Sequence, residues 1–348
     1  MGVLNVGIIG GGQLGSLLCE AAKKIGINAV VYSDDIDSPA KFFTKEFIHG
    51  NYADEEKISN FCSKVDFVTY EFENIPFKTL NNIKKLKKVS PDPEILKIVQ
   101  NRLLEKEFLN KINLKTTLFK EINSKKDLFD NSNLLPGFLK TCRFGYDGKG
   151  QYFINNISEI ERLDIKFENK YILEKKVSLK KEVSVIITRY GKNEYSLYDP
   201  IENFHKDQIL RTSIIPAEIS QKNKEDTLNF TRLISEKLKY IGTMCVEFFI
   251  DSSDNLYINE IAPRVHNSGH LTLNSYNVSQ FENHIRAVCG KEKIELKKLN
   301  NSKMINLIGD DILLYRSKKF NKNEFFYDYK KKVIKPKRKM GHFTKVIL

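Results

Sequence analysis

Near the N-terminus the sequence reads Leu4-Asn-Val-Gly-Ile-Ile-Gly-Gly-Gly-Gln-Leu-Gly15, a short apolar run followed directly by a glycine-rich turn. The run predicts a buried parallel strand, and the glycines permit the tight turn that leads into a helix. A helical pattern follows, and Gly26 stands where a C-terminal cap is expected. Apolar runs at 29–32 and 65–70 repeat the alternation. This order predicts a small doubly wound α/β domain over roughly the first 90 residues.

The glycine turn allows more than one function. Gly10, Gly12 and Gly15 satisfy the pattern G-x-G-x-x-G, and Asp34 lies near the end of the second predicted strand. Such a turn lets an anionic group approach a helix N-terminus, and an acid at that point could bind a ribose. Taken alone, the pattern is typical of an NAD-dependent dehydrogenase. The same turn also serves other phosphate-bearing ligands, or simply joins a strand to a helix.

The pattern changes after the first region. Ser90-Pro-Asp-Pro93 ends that region and predicts the start of a helix over residues 94–110. From about residue 136 the sequence predicts an α+β region with antiparallel pairing. Its strands are expected at 138–141, 151–154, 170–173, 182–188, 245–250 and 256–261, and its helix at 226–238. The tail after Gly290 is short, basic and rich in Phe and Tyr.

Composition excludes several classes of protein. The 348 residues include 41% hydrophobic residues, which is enough for packed cores and excludes general disorder. Apolar runs fall well short of the ~20 residues that a membrane span needs, so no membrane partner is expected. The N-terminus lacks the basic region of a signal peptide, and the five cysteines stand singly. These features predict a cytoplasmic protein with reduced thiols.

The charge raises the alternative of a nucleic-acid-binding protein. Lys and Arg number 57 against 44 Asp and Glu, a formal net charge of +13. Lysine is spread through most of the chain, however, and only residues 330–339 form a dense basic patch. A solvated surface is the better explanation elsewhere, and we expect no nucleic-acid partner.

A second glycine-rich segment, Gly145-Tyr-Asp-Gly-Lys-Gly-Gln151, lies between two predicted strands. It is not a Walker A loop, because no Gly-Lys-Ser/Thr opens a helix there. Its three glycines free the backbone to fold over a triphosphate, while Lys140 and Lys149 can supply positive charge. A hairpin tip needs only one glycine, so we favour a nucleotide-binding loop. Glu174 and Glu182 could mark the adenine and ribose positions, although both would also fit as surface acids.

Two carboxylates flank a predicted hairpin. Ser253-Asp254 is suited to a two-residue turn, and pairing about that turn places Glu247 opposite Glu260. Directly opposed carboxylates repel each other unless a cation bridges them, and Mg²⁺ prefers a few carboxylates plus phosphate oxygens. The pair therefore predicts a Mg²⁺ site. A slip of one residue would place the two side chains on opposite faces and leave two surface acids.

The second strand of this hairpin continues into Asn259-Glu-Ile-Ala-Pro-Arg-Val-His-Asn-Ser-Gly-His270. So many polar residues after an apolar strand are hard to explain by packing. Zinc could use His266 and His270, but the sequence offers no third ligand at a suitable spacing. A polar, anion-binding loop is the favoured interpretation.

Together these motifs resemble those of one family. The motifs are Gly11-Gly-Gln-Leu-Gly15, Glu71-Phe-Glu-Asn-Ile75, Gly145–Gln151, Asp207-Gln-Ile-Leu-Arg-Thr212, Glu260–His270 and Arg338-Lys-Met-Gly-His342. They look like those of the 5-(carboxyamino)imidazole ribonucleotide synthases of the ATP-grasp superfamily, over residues 6–346. The resemblance implies an N-terminal Rossmann-like (pre-ATP-grasp) domain at 1–95, a central ATP-grasp domain at 96–290 and a small C-terminal domain at 291–348.

The resemblance also implies an activity. ATP, bicarbonate and 5-aminoimidazole ribonucleotide would give ADP, phosphate and the N5-carboxylated ribonucleotide through carboxyphosphate, in purine biosynthesis. The cofactors would be ATP and Mg²⁺, and the protein would be a cytoplasmic homodimer. Another ATP-grasp ligase is the nearest alternative.

Site residues are implied in the same way. Asp147, Tyr146 and Arg264 would be catalytic, with Asp147 a candidate to accept a proton from the exocyclic amine. ATP would contact Arg102, Lys140, Gly145, Tyr146, Asp147, Gly148, Lys149, Gly150, Gln151, Glu174, Lys175, Lys176, Val177, Glu182, His205, Asn259 and Glu260. The metal would lie on Glu247 and Glu260.

The ribonucleotide would contact a further set. Its members would be Gln13, Leu14, Glu71, Tyr146, Asp147, Arg264, His266, Asn267, Lys332, Arg338 and Lys339. Residues 330–332 are three consecutive lysines where the family usually has one, so Lys331 could serve in place of Lys332. Leu179 stands where an aromatic residue near the adenine is common.

Overall fold

The computed structural model describes residues 2–143 and 150–347. Within these residues the strands form three sheets: a parallel sheet of five strands, an antiparallel sheet of nine strands, and an antiparallel sheet of four strands. In the same residues, no helix is long and apolar enough to cross a membrane.

The N-terminal region is doubly wound, as predicted. Its strands are β1 (Asn5–Ile9), β2 (Asn28–Ser33), β3 (Glu46–His49), β4 (Phe67–Tyr70) and β5 (Lys88–Val89), in the order β3-β2-β1-β4-β5. Its helices are α1 (Gln13–Lys24), α2 (Glu55–Ser63) and α3 (Phe77–Leu86). Val6 and Ile8 of β1 pack on the α1 side of the sheet, whereas Ile9 belongs to the core on the other side. Gly26 follows α1 with a φ of 72°, the left-handed conformation expected of a cap.

The helix predicted over 94–110 is two helices, α4 (Glu94–Val99) and α5 (Arg102–Lys111), so that prediction was wrong. Asn101 is extended, with φ −129° and ψ 109°, and its side chain accepts from the backbone N–H of Leu103. An N-cap of this kind starts a new helix. The break places Arg102 in the first turn of α5.

The four-stranded sheet follows α5. Its strands are β6 (Phe119–Ile122), β7 (Gly137–Thr141), β8 (Gln151–Ile154) and β9 (Tyr171–Lys175), in the order β6-β9-β7-β8. Two short helices, α6 (Lys125–Asp130) and α7 (Ile157–Glu161), contribute Leu128 and Ile160 to its core.

The nine-stranded sheet supplies most of the remaining chain. Its strands are β10 (Leu179–Gly191), β11 (Glu194–Leu197), β12 (Ile201–Lys206), β13 (Ile209–Ile215), β14 (Gly242–Asp251), β15 (Leu256–Ala262), β16 (Asn301–Ile308), β17 (Glu324–Asp328) and β18 (Lys339–Ile347). The order is β15-β14-β10-β12-β13-β16-β18-β17, with β11 paired to β10. The accompanying helices are α8 (Gln221–Lys237), α9 (Thr272–Ser275), α10 (Gln280–Val288) and α11 (Asp311–Arg316).

One strand pairing and one helix join the regions of the chain. β16 pairs with β13, so the C-terminal strands extend the sheet of the middle region across residue 290. α10 returns to the N-terminal region, where Phe281 and Ile285 pack in one core with Leu18 of α1. As a result, strands of the two antiparallel sheets line one cleft together with residues that follow β1 and β4 of the parallel sheet.

Candidate active site

The cleft has a volume of about 870 Å³ and brings most of the predicted site residues together. Those that line it are Gln13, Leu14, Glu71, Arg102, Lys140, Gln151, Glu174, Lys175, Val177, Glu182, His205, Glu247, Asn259, Glu260, Arg264, His266, Asn267, Arg338 and Lys339. Gly145, Tyr146, Asp147, Gly148 and Lys149 lie outside the described residues.

Of the predicted residues that the structure describes, Gly150, Lys176 and Lys332 do not line the cleft. The prediction that Lys332 contacts the ribonucleotide is corrected, because the Lys332 side chain is 73% exposed and its Nζ lies 3.7 Å from Asp37 Oδ1. The neighbouring Lys331 lines the cleft and donates to Gln13 Oε1 at 2.9 Å. The structure therefore directs Lys331, rather than Lys332, toward the site.

The hairpin of β14 and β15 places Glu247 opposite Glu260, as predicted, but not by the predicted turn. The backbone N–H of Asp251 donates to the carbonyl of Asn255, so three residues, not two, form the loop. This alone would shift the register by one residue. An irregularity between Glu247 and Phe248 restores it, and Asn259 is the extra residue of the resulting bulge.

Glu247 is held as a charged group. His266 Nε2 lies 3.1 Å from Glu247 Oε1, and His266 Nδ1 lies 2.9 Å from Ser268 Oγ. Burial alone would raise the pKa of Glu247, but the hydrogen bond from His266 and the nearby charges of His266 and His205 lower it to about 2. Glu247 is therefore a carboxylate at neutral pH.

Glu260 belongs to a second cluster with α5. Arg102 Nη1 lies 3.2 Å from Glu260 Oε2, and Glu105, one turn later, accepts from the backbone N–H of Ile261 at 2.6 Å. Burial and then the charge of Glu260 raise the pKa of Glu105 to about 8. Glu105 was not among the residues predicted from the sequence. Its spacing of three residues from Arg102 was the available signal, because that spacing puts both on one helix face.

A cationic wall lies around Glu174 of β9. Lys140 Nζ is 3.2 Å from Glu174 Oε2, and the buried Lys106 approaches the same oxygen at 3.3 Å. Thr117 Oγ1 also donates to it, at 3.1 Å. Burial raises the pKa of Glu174, but Lys140, Lys106 and Arg102 outweigh burial and lower it to about 2. Burial lowers the pKa of Lys140.

The N-terminal glycine turn already holds an anion of this chain. The backbone N–H of Gly12 donates to Glu71 Oε1 at 2.7 Å, and that of Gly15 donates to Glu71 Oε2 at 2.9 Å. A Cβ at Gly12 would stand 2.7 Å from Glu71 Oε1, so the glycine is needed for this close approach. Glu71 thus takes the position where a dinucleotide pyrophosphate would bind.

Arg264 and Glu73 form a bidentate pair beside this turn. Arg264 Nη2 donates to Glu73 Oε1 at 3.0 Å, and its Nε donates to Glu73 Oε2. Burial would raise the pKa of Glu73, but the charge and hydrogen bonds of Arg264 lower it to about 2. Glu73 belongs to the motif of residues 71–75, but no role was predicted for it from the sequence.

On the paired strands β10 and β12, His205 Nδ1 lies 2.8 Å from Glu182 Oε2. Burial lowers the pKa of His205, but the hydrogen bond and charge of Glu182 outweigh burial and raise it. The tail also contributes, since Lys337 and Arg338 line the cleft beside Lys331.

The donor atoms fit a hard divalent cation. In the described part of the chain, no group of three or more His, Cys, Asp and Glu side chains is arranged to hold a metal. Glu247 and Glu260 nevertheless present oxygen donors from directly opposed positions on the cleft wall. Two carboxylates completed by phosphate oxygens and water are typical of Mg²⁺ sites.

Three family models match this chain. The ribonucleotide synthetase preATP-grasp domain matches residues 3–100, and the ATP-grasp domain matches residues 107–281. The phosphoribosylaminoimidazole carboxylase C-terminal domain matches residues 302–347.

Individual proteins are similar over nearly the whole chain. The N5-carboxyaminoimidazole ribonucleotide synthase of Staphylococcus epidermidis is 38% identical, over 98% of this chain and 92% of the relative. The structure of N5-carboxyaminoimidazole synthetase from Staphylococcus aureus complexed with ADP has a TM-score of 0.92 at 36% identity, covering 99% of this chain and 93% of that one. An Aspergillus clavatus N5-carboxyaminoimidazole synthase in complex with ADP and 5-aminoimidazole ribonucleotide has a TM-score of 0.91 at 28% identity, covering 99% and 94%.

Proposed function

The chain belongs to the N5-carboxyaminoimidazole ribonucleotide synthase family of ATP-grasp ligases, and from that premise we propose how its cleft works. It is an ATP-dependent carbon–nitrogen ligase of purine biosynthesis that carboxylates 5-aminoimidazole ribonucleotide with bicarbonate, giving N5-carboxyaminoimidazole ribonucleotide, ADP and phosphate. One observation carries the proposal. A single cleft sets the cations Lys140 and Arg102 beside the opposed carboxylates Glu247 and Glu260.

The cationic wall binds the ATP phosphates. Lys140 and Arg102 line the cleft and each already holds a carboxylate oxygen, at 3.2 Å in both cases. Bicarbonate is a poor electrophile, and phosphorylation turns it into carboxyphosphate. Fixed positive charges beside the transferring phosphoryl group stabilise the charge that develops in that step.

Glu247 and Glu260 would hold Mg²⁺, because both carboxylates line the cleft from opposed positions on paired strands. When bound, the cation neutralises charge on the transferring phosphoryl group and orients its oxygens. His266 keeps Glu247 ionised and oriented through their 3.1 Å contact, and Arg102 orients Glu260 through its 3.2 Å contact. Glu182 and His205 also line the cleft, where they meet the nucleoside part of ATP.

The carboxylation step uses the ribonucleotide end of the cleft. His266, Asn267 and Arg264 line this part of the wall and provide donors for carboxylate and phosphate oxygens. Asp147, next to the glycines of its loop, accepts the proton of the exocyclic amine as the amine attacks the carboxyl carbon. The ribonucleotide phosphate is held by the tail, through Lys331, Arg338 and Lys339.

The domain organisation, the oligomeric state and the location in the cell are proposed by analogy with the family. The domain divisions are at 1–95, 96–290 and 291–348, and the enzyme is a cytoplasmic homodimer. Family models that match at 3–100, 107–281 and 302–347 support three domains. A dehydrogenase function is not supported, because Glu71 occupies the amide donors of the glycine turn that a dinucleotide needs.

Phosphate release at controlled bicarbonate, with and without 5-aminoimidazole ribonucleotide, tests the proposal. We expect ATP hydrolysis that depends on the ribonucleotide and yields the carboxylated product in equal amount. A titration of NADH fluorescence serves as the control and should show no binding. ATP hydrolysis that ignores the ribonucleotide at every bicarbonate concentration would contradict the proposed function.

A further inference from the structure

Lys106 is a buried cation to which the proposed function gives no role. Only 1% of the residue is exposed, and its Nζ donates to Thr117 Oγ1 at 3.0 Å. The same Nζ lies 3.3 Å from Glu174 Oε2. A buried ammonium group persists only when it is paired and hydrogen-bonded, so these two contacts keep Lys106 in place.

Glu174 therefore serves two lysines with one oxygen. Its Oε2 is 3.2 Å from Lys140 Nζ as well as 3.3 Å from Lys106 Nζ, and only 4% of the Glu174 side chain is exposed. One carboxylate neutralises one ammonium charge. The three side chains together thus carry an excess of positive charge in a region shielded from water.

The two lysines differ in what else they can reach. Lys140 lines the cleft and keeps 11% of its side chain exposed, whereas Lys106 lies behind Glu174 with 2% exposed. A phosphate in the cleft is accessible to Lys140 and not to Lys106. A ligand that draws Lys140 away leaves Glu174 with Lys106 and Thr117 as its partners.

We propose that Lys106 is a positioning residue that keeps Glu174 neutralised while Lys140 turns to the ATP phosphates. The inference rests on the proposed function, in which Lys140 binds phosphate. Without Lys106, the movement of Lys140 would remove both lysine contacts of the buried Glu174 and leave only the more distant charge of Arg102, which is strongly unfavourable. Glu174 would then compete with the phosphates for Lys140, and nucleotide binding would weaken.

The resting enzyme depends less on Lys106. In a Lys106→Met variant, Glu174 still has Lys140 and Thr117 as partners, and Met fills a similar volume without burying a charge. We therefore expect the variant to fold and to unfold at nearly the same temperature without nucleotide. Its dissociation constant for a non-hydrolysable ATP analogue, measured by calorimetry, should rise at least tenfold.

Two further variants separate positioning from structure. Lys106→Arg keeps the charge and should recover part of the affinity. The double variant Lys106→Met/Glu174→Gln should bind more tightly than Lys106→Met alone, because no buried carboxylate is left unpaired. Lys298→Met is the matched control. It breaks the Lys298–Asp199 pair of 3.1 Å away from the cleft lining and should leave nucleotide affinity unchanged.

The possible outcomes are distinguishable. Unchanged affinity in Lys106→Met, while Lys140→Met loses nucleotide binding, would overturn the role of Lys106 and leave the proposed function standing. Unfolding of Lys106→Met without nucleotide would also overturn it, since Lys106 would then support the resting fold. A wild-type protein that fails to bind the analogue would instead contradict the proposed function itself.

Discussion

The glycine turn after β1 and the hairpin of β14 and β15 both place polar groups at the cleft. We call the turn closed, because a side chain of the chain itself occupies its N–H donors, and the hairpin open, because its carboxylates keep oxygen atoms for a ligand. Glu71 accepts from two backbone N–H groups of the turn, at 2.7 and 2.9 Å. Glu247 and Glu260 instead face each other across two strands, and each has a nitrogen partner on one side, His266 or Arg102. The turn satisfies its charges internally, whereas the hairpin has oxygen atoms left to bind a ligand.

The difference shows that a glycine pattern typical of phosphate binding does not by itself establish a phosphate site, because the backbone N–H donors must also be available. Gly10, Gly12 and Gly15 form a turn that would suit a pyrophosphate in another protein. Here a neighbouring carboxylate takes its N–H donors, and the glycines are needed for the close approach of Glu71. The N–H groups of Gly12 and Gly15 are therefore already taken, and we expect the phosphates of the substrates to bind to other donors of the cleft.

The strongest test of this contrast removes one carboxylate of the open pair. Glu260→Gln should lower ATP turnover at least 100-fold, about 3 kcal/mol in the barrier, because the cation loses a charged ligand. The melting temperature should change little, because the weakened contact with Arg102 is offset by the removal of charge repulsion between Glu260 and its neighbours Glu247 and Glu105. Steady-state phosphate release over a range of Mg²⁺ concentrations checks the prediction.

The matched control for this variant is Glu194→Gln, which removes an exposed carboxylate from β11. It should keep full turnover. Near-normal ATPase activity in Glu260→Gln would show that the opposed carboxylates are not the cation site, and the hairpin would then be no more open than the turn.

The closed side should respond in stability and in its pH dependence. Glu73 has a pKa of about 2 in the folded protein, below its ordinary value of 4.5, mainly because Arg264 outweighs the effect of burial. A carboxyl with a lowered pKa adds stability above its unfolded pKa, and that stability is lost as the pH falls toward 2. Glu73→Gln should therefore cost about 2–3 kcal/mol at pH 7 and flatten the loss of stability between pH 4.5 and 2.

Urea unfolding at several pH values measures this effect. In Glu73→Gln the loss of stability between pH 4.5 and 2, the acid limb of the stability profile, should become smaller without disappearing, because Glu174 and Glu247 also have pKa values of about 2. An unchanged acid limb in Glu73→Gln would mean that its pair with Arg264 adds nothing to the fold.

Glu71→Gln tests the turn itself. An amide has one acceptor oxygen, so its NH₂ group would face one of the two N–H donors of Gly12 and Gly15. We expect a loss of about 2 kcal/mol in the free energy of unfolding, as for a buried hydrogen bond to a charged group. Glu56→Gln, at an exposed position of α2, is the control and should be near neutral. Equal stabilities of the two variants would show that the turn is not closed by Glu71.

Sequence patterns predicted the local elements well because those depend on neighbours in the chain. The strand at 151–154 and the doubly wound start are confirmed, and the break at Asn101 was missed although its capping side chain is local. The contacts that close the glycine turn could not be predicted. Glu71 lies 56 residues beyond Gly15, and only the parallel pairing of β1 with β4 brings them together.

The pairing of Glu247 with Glu260 was correct for an incomplete reason. A three-residue loop shifts the register, and a bulge at Asn259 shifts it back. Contacts on the outer edge of β15 hold the strand on both sides of the bulge: Ile258 N–H donates to the carbonyl of Lys115, and Ile261 N–H donates to Glu105. These partners are more than a hundred residues away in sequence, so no local pattern predicts the bulge.

The smallest expected effect concerns the tail, which offers side-chain donors to the ribonucleotide phosphate, whereas two N–H donors of the turn are already taken by Glu71. Arg338 and Lys337 both line the cleft, but Arg presents a planar fork to a phosphate that Lys cannot reproduce. Arg338→Lys should raise the KM for 5-aminoimidazole ribonucleotide about tenfold, on the order of the 1.5 kcal/mol of a charged hydrogen bond. Lys337→Ala should change it little, and both should leave ATP affinity unaltered without the ribonucleotide. Kinetics at saturating ATP decide the matter: equal, modest effects of the two changes would mean that the tail acts only as a charged surface, and that the phosphate is held by neither the turn nor Arg338.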